Sequence, residues 1–288
     1  MNDKMKALYN LQRDEITGHL AYEHLAKKFK GTKNSVLIKN IADDELSHYN
    51  IYKKYTKQDV KPHRWQLFIY RLFASILGFT FIIKMMEKGE DKGIRKALAV
   101  EKDFAEVKGI VEQEKGHEHV LIAMLDEDRL KYVGSIVLGL NDALVELTGV
   151  IAGVTFAFQN NTLVALTGII TGISATLSMA ASNYLAKKAD GDADAVKSSI
   201  YTGSAYLITV ILLVLPYLIL PDALYIPAFI LMLIIVILII AAFNFYIAVT
   251  KEISFKKPFL QMCCISLGVA IISFVIGIVA KALFGISV

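Results

Sequence analysis

Two hydrophobic patterns divide the chain near residue 132. Before it, apolar positions recur at helical spacing and charge fills the gaps; after it, long apolar runs are almost uninterrupted. In residues 4–29, Leu8, Leu11, Ile16, Leu20 and Leu25 fall at helical spacing, and Gly31 suits the end of that helix. The same pattern predicts a second helix over roughly 34–57, with Pro62 as the next boundary. Residues 66–83, QLFIYRLFASILGFTFII, carry only Arg71 as a charge and are long enough to cross a bilayer. They run on without an obvious break into Lys84 to Glu90, so we read one bundle helix that buries a second face on a partner or on the membrane surface. A membrane crossing is the alternative. A fourth helix is predicted over 103–126, and four helices with mostly short links make a four-helix bundle.

From 132 onward the pattern predicts five spans, at about 132–158, 163–186, 199–219, 224–249 and 259–283. The breaks are Gln159 to Asn161, Lys187 to Lys197, Leu220 to Asp222 and Thr250 to Pro258. The expected fold is therefore all-α, with a bundle domain over 1–131 and a five-helix membrane domain over 132–288. Lys187, Lys188 and Lys197 fall in one loop, and Lys251, Lys256 and Lys257 in another; the other two loops have no Lys or Arg. The positive-inside rule then puts both basic loops and the N-terminal domain in the cytoplasm and the C-terminus outside.

Charge sharpens this division. Of 31 Lys and Arg and 27 Asp and Glu, only seven of each lie beyond residue 131. No basic run is interleaved with aromatics, so the net charge of +4 does not point to nucleic acid. Cys263 and Cys264 are sequence neighbours that point apart on a helix, which excludes a disulfide framework and argues against a cysteine zinc site. The N-terminal stretch MNDKMKALYNLQRDE lacks the apolar core of a signal peptide, consistent with a cytoplasmic first domain.

Candidate chemistry gathers in and around one segment, Glu112 to Glu146. It opens with Glu114 and His117, which repeat the spacing of Glu45 and His48 on the second predicted helix. Residues three apart share a helix face, so each pair can turn a carboxylate and an imidazole inward. Glu15 precedes the first pair by 30 residues, and Glu87, with Glu90 a turn later, precedes the second by 27. Two helical hairpins of that kind supply the four Glu and two His of a di-iron bundle, a donor set that suits iron or manganese. The third-helix ligand is Glu87 or Glu90, or both, with Glu101 more distant; His19, Glu112, Glu118 and His119 fit outer or surface positions. Over residues 5–126 these motifs resemble the ferritin-like superfamily, and Glu87 with Glu90 resembles the rubrerythrin branch. That resemblance implies a di-iron cofactor site, with manganese or another divalent metal as alternatives. It lacks the four-cysteine iron site usual in that branch, which tells against peroxidase chemistry with that electron supply.

Asp142 and Glu146 lie ten and fourteen residues into the first span, on one face, with Glu146 near the midplane. A charge there costs roughly 2.5–3.5 kcal/mol on insertion scales, so a pair on one face points to an ion pathway. Met179, with Ser178 and Asn183, adds a thioether and polar atoms on the second span; Asn141 and Asn244 are weaker candidates. Gly149 with Gly153, and Gly168 with Gly172, permit close helix contact or dimerisation. The segment Gly139-Leu-Asn-Asp142-Ala-Leu and the run from Ser178-Met179 to Ala186 resemble the motifs of the vacuolar iron transporter family. The resemblance puts that family's transport aspartate on Asp142 and its methionine on Met179. Its second-span glutamate falls on Thr171, and Glu146 is the expected substitute. The acidic insertion of plant members is absent; only Lys187 to Lys197 stands there, with Asp190, Asp192 and Asp194. The combination resembles the membrane-bound ferritin group of iron exporters. It implies a homodimer in a plasma membrane that exports Fe2+, or Mn2+, against protons. The rival is a membrane-tethered di-iron ferroxidase or peroxide-scavenging enzyme; an iron-storage module fits poorly, because storage needs a closed shell.

Overall fold

The computed structural model describes residues 3–124 and 132–284, and every regular element among them is helical. The chain divides into two compact units, residues 1–126 and 127–288.

The first unit holds α1 (Asp3–Lys28), α2 (Lys33–Thr56), α3 (Arg64–Ile76), α4 (Gly78–Leu98) and α5 (Val107–Ala123). Gly31, at φ +91°, takes the left-handed conformation that turns the chain from α1 into α2. Two apolar layers tie α1, α2, α4 and α5 together. In one, Tyr22 and Leu25 meet Ile38, Ile41, Ile82, Met86 and Leu121. In the other, Leu8 and Leu11 meet Tyr52, Ile94, Val107 and Ile110. Each fully buried side chain of this size contributes roughly 1.5–3 kcal/mol. On all four helices the residues between the two layers are polar: Glu15, Glu45 and His48, Glu90, then Glu114 and His117. The fold thus clamps one polar stratum between two greasy ones.

The expectation of one helix running from 66 past 83 is corrected. The chain breaks at Leu77, and Gly78 adopts φ +82°, a conformation that a side chain would strain. What remains, α3, has 13 residues, about 20 Å at 1.5 Å per residue, too short for a ~30 Å hydrocarbon layer. Leu67 and Ala74 of α3 are buried with Ile82 and Ile83 of α4 in the bundle core. The fourth predicted helix also starts later than expected, at Val107, after turns at Val100–Asp103 and Phe104–Val107. Residues 125–131, inside the segment from Glu112 to Glu146, lie outside the described residues.

The second unit holds α6 (Val133–Phe158), α7 (Asn161–Ala189), α8 (Ala195–Ile219), α9 (Tyr225–Thr250) and α10 (Lys256–Phe284). All five are long and apolar enough to cross a membrane, and the chain is a multi-pass membrane protein. Lipid supplies no hydrophobic drive between such helices, so close van der Waals fit has to. A Cβ at Gly139 would lie 2.2 Å from the Thr202 carbonyl, and one at Gly277 would lie 2.2 Å from that of Gly153. Both GxxxG pairs face neighbours in the same chain: Gly149 and Gly153 meet α10, and Gly168 and Gly172 meet Val214 and Val210 of α8. The core runs through Leu144, Leu147 and Ile151, Tyr206 and Leu213, Met232 and Val236. Outward positions such as Ile170, Ile173, Ile234, Ile272 and Val275 are apolar and exposed, as a lipid-facing surface requires. The turn between α6 and α7 is fixed by Asn160, whose side chain accepts from the Leu163 N–H at 2.9 Å. Asn161 donates to the Leu220 and Pro221 carbonyls, closing the end of α8 over it.

Candidate metal centre and membrane carboxylate pair

In the bundle, Glu15, Glu45, His48 and Glu114 are buried and each offers a ligand atom within 4.8 Å of the others. His48 Nδ1 lies 2.8 Å from Glu114 Oε1 and 3.6 Å from Glu15 Oε2. His117 Nδ1 lies 3.5 Å from Glu45 Oε1 and 3.9 Å from Glu114 Oε2. Despite these separations, His48 Nδ1, His117 Nδ1, Glu45 Oε1 and both Glu114 oxygens lack an aligned hydrogen-bond partner among the described residues. Buried polar atoms left in that state cost free energy, and here they converge on one volume. That geometry fits a cation: the oxygens and imidazole nitrogens could hold iron or manganese.

The opposite ring nitrogens are occupied. His48 Nε2 lies 2.7 Å from Gln113 Oε1, and His117 Nε2 lies 3.1 Å from Asp44 Oδ2. With Nε2–H donated outward, Nδ1 is the nitrogen each ring turns to the carboxylates, and a cation would take the place of the proton it carries there. The two rings stack with centroids 5.8 Å apart.

Glu90 belongs to the same stratum. Its Oε1 accepts a hydrogen bond from Tyr22 Oη at 2.5 Å, and the charges of Glu45 and Glu114 act on it. Glu87, one turn earlier, is not brought into the cluster; its Oε2 pairs with Lys84 Nζ at 3.1 Å. Glu101 lies in the turn after α4, and His19 Nδ1 faces the Ala42 carbonyl. Glu112 and His119 are exposed.

Electrostatics follow from burial. Desolvation first, then the Glu114 charge, pushes Glu15 and Glu45 well above the usual carboxylate range. Desolvation and the charges of Glu45 and Glu114 do the same to Glu90. For Glu114, burial is outweighed by polar contacts from His117, His48 and Glu90, which together hold it below that range. Burial works against the charged form of His117, but Glu114 and Glu45 override it and raise its pKa to about 10. Protons thus take up negative charge that a divalent cation could neutralise instead.

Several participants carry no sequence motif. Gly18 sits one turn beyond Glu15, and a Cβ there would lie 2.9 Å from Glu45 Oε2, so glycine opens the space that this carboxylate fills. Tyr22 follows on the same face. Tyr52 is fully buried, and its hydroxyl has no hydrogen-bond partner among the described residues. The face shared by Glu15, Gly18 and Tyr22 is the signal that could have found two of them.

In the membrane unit, Asp142 and Glu146 project from one face of α6. Glu146 Oε2 accepts from Tyr206 Oη at 2.9 Å, which ties it to α8, while the rest of its side chain is exposed on the single chain. Asp142 is half-buried. Met179 of α7 is partly buried against the core that contains Ala143 and Tyr206. Ser178 is exposed. Asn183 is buried, and neither its Oδ1 nor that of Asn141 has a hydrogen-bond partner among the described residues. Asn244 donates to the Ile240 carbonyl and to Met262 Sδ.

No curated protein and no solved structure matches the chain. The stretch that holds Asp142, Glu146 and Met179 does have a counterpart: residues 133–195, which cover α6, α7 and the loop to α8, match the family model described as VIT family.

Proposed function

We propose that this protein is a secondary transporter that exports Fe2+, or Mn2+, from the cytoplasm in exchange for protons. The observation that carries the reading is the pair Asp142 and Glu146, set on one face of a membrane-spanning helix inside the stretch that matches the VIT family. That match supports a membrane transporter of iron or manganese. Two carboxylates at this depth are costly unless they handle a cation, and each can exchange a metal for a proton. Tyr206 holds one oxygen of Glu146 and leaves the other for the cargo. Glu146 is exposed in a single chain, so a second copy that covers this face would remove a carboxylate from lipid; this supports a homodimer.

The bundle is the capture or sensing domain. Glu15, Glu45, His48, Glu90, Glu114 and His117 would hold a pair of iron or manganese ions there, and Glu87 stands one turn away. Metal so held supplies Lewis acidity and, as iron, reactivity toward oxygen. Gln113 and Asp44 would orient the two imidazoles toward it, and the apolar layers above and below would exclude water. The Lys residues in and flanking the α7–α8 and α9–α10 connections support a cytoplasmic bundle and a C-terminus outside, in a plasma membrane.

A second reading rests on the same buried cluster: a membrane-tethered ferroxidase or peroxide-scavenging enzyme. Proteoliposomes with a pH gradient separate the two. Asp142→Asn is expected to stop metal flux and leave iron oxidation by the bundle as it was. Flux that survives this change while oxidation fails would reverse the assignment.

A further inference from the structure

The bundle has one helix that the metal cluster does not use. The inner face of α3 is accounted for: Leu67 and Ala74 are buried, and Tyr70 and Phe73 pack on the same core. Its outer face carries Trp65, Phe68 and Leu72, exposed by 72%, 53% and 39%. These three follow one another at helical spacing, and the rings of Trp65 and Phe68 stack with centroids 5.5 Å apart. Cations border the stripe: Lys61, Arg64 and Arg71 are exposed, and Lys28 Nζ reaches Ser75 Oγ at the last turn. The helix contains no Asp or Glu.

We propose that α3 is an interfacial helix that lies on an anionic bilayer surface, with Trp65, Phe68 and Leu72 entering the boundary between headgroups and acyl chains. Aromatic and aliphatic side chains on one face with Arg and Lys at its margins are what such a position selects. The arginine stems run along the apolar stripe, and their guanidinium groups reach the lipid phosphates. Charge decides between a bilayer and a second copy of the chain. A two-fold contact of α3 with itself would set Arg64 and Arg71 against their own like charges, with no acid on the helix to relieve them. An anionic leaflet complements the same rim. The chain carries its own candidate spans, so a bilayer is always present at high effective concentration. The inference needs only a membrane protein and is independent of the transport reading.

Trp65 is the only tryptophan in the chain, so intrinsic tryptophan fluorescence of the full-length protein reports on this face alone. The protein is reconstituted in vesicles of phosphatidylcholine with phosphatidylglycerol, with and without brominated acyl chains. Emission is expected to shift to the blue, and bromine to quench it by about half or more. Quenching should be weaker in phosphatidylcholine alone. The double variant Arg64→Glu with Arg71→Glu changes exposed positions and should lose the quenching while helicity and Co2+ binding by the bundle stay unchanged. Emission that bromine leaves untouched while iodide quenches it freely places the face in water and overturns the proposal. Emission shielded from both quenchers, with cross-linking of Trp65→Cys between copies, assigns the face to a second chain and overturns it equally. Bromine quenching that ignores both lipid charge and the arginine changes overturns the anionic recognition.

Discussion

The two acid clusters of this molecule are built in opposite ways. The bundle cluster draws on α1, α2, α4 and α5, and its histidines and the carboxylates of Glu15, Glu45 and Glu114 are nearly inaccessible. Both its imidazoles are braced from outside by Gln113 and Asp44. The membrane pair comes from one helix, Asp142 half-buried and Glu146 exposed, with the Tyr206 hydroxyl as the bracing contact on Glu146. A many-sided, rigid donor set favours tight binding and slow release. A one-sided pair with free carboxylate edges binds weakly and lets go, which is what conduction needs. On the proposed function, the difference would separate holding a metal from moving one.

The largest effect should therefore divide the two functions. Asp142→Asn removes a charge from the pair and should bring Fe2+ or Mn2+ flux into proteoliposomes down to background, while Co2+ titration of the bundle gives the wild-type affinity. Equal loss in both measurements would mean that the clusters do not act separately.

The reverse separation comes from the bundle. Glu114 approaches both imidazoles, so Glu114→Gln should weaken Co2+ binding by more than the roughly 10–100-fold typical of outer-shell changes. Gln113→Leu leaves every candidate ligand in place and removes only the partner of His48 Nε2. Its cost should fall within that roughly 10–100-fold range. If Gln113→Leu matched Glu114→Gln, His48 orientation rather than carboxylate charge would dominate the site.

These residues also mark what a sequence can disclose. Glu45 with His48 and Glu114 with His117 were legible because a spacing of three fixes a shared face before any tertiary structure is known. Glu87 and Glu90 stayed open for the same reason: they share a face, and only a neighbour distinguishes them. Tyr22 provides that neighbour for Glu90, and Lys84 pairs with Glu87. Gln113, Asp44 and Gly18 were missed because each acts across a helix–helix contact. The break at Gly78 was missed because a lone glycine in an apolar run reads as a tolerated helical residue, and its φ of +82° is a property of the fold. The five spans were easier, since length and hydropathy suffice and turn residues such as Asn160 and Pro221 punctuate them. Which way their small residues face was not readable: Gly153 could have met another chain, and in the structure it meets Gly277 of its own.

A smaller contrast appears with pH in the metal-free protein. Glu15, Glu45 and Glu90 have folded pKa values above their unfolded ones, so the folded state holds more protons there, and stability falls as pH rises through the folded values. His117 acts in the same direction: its contribution is fully present below the unfolded value of 6.5 and is lost toward about 10. Glu114, held low, opposes them only in acid, below its unfolded value of 4.5. The chelated full-length protein should thus lose several degrees in the bundle's calorimetric transition between neutral and alkaline pH, and the membrane unit should not follow. Adding Mn2+ should flatten the slope, because the cation replaces the protons. A bundle transition insensitive to both pH and Mn2+ would contradict the electrostatic picture of the cluster.

The smallest change tests whether Gly18 serves helix or site. Glycine within a helix costs about 1 kcal/mol relative to alanine, so on propensity alone Gly18→Ala should stabilise α1 by about that amount. The new Cβ would lie 2.9 Å from Glu45 Oε2, the mobile end of a side chain, and that carboxylate can yield by a few tenths of an ångström. Moving it relieves the clash but displaces a candidate ligand. The two readouts should then part: the metal-free bundle melts higher, while Co2+ affinity drops several-fold, as displaced donors imply. A structural glycine would move both the same way, with stability falling alongside affinity. Higher melting with unchanged affinity would show that Glu45 Oε2 has room to spare, and that the close approach of α1 contributes nothing to the site.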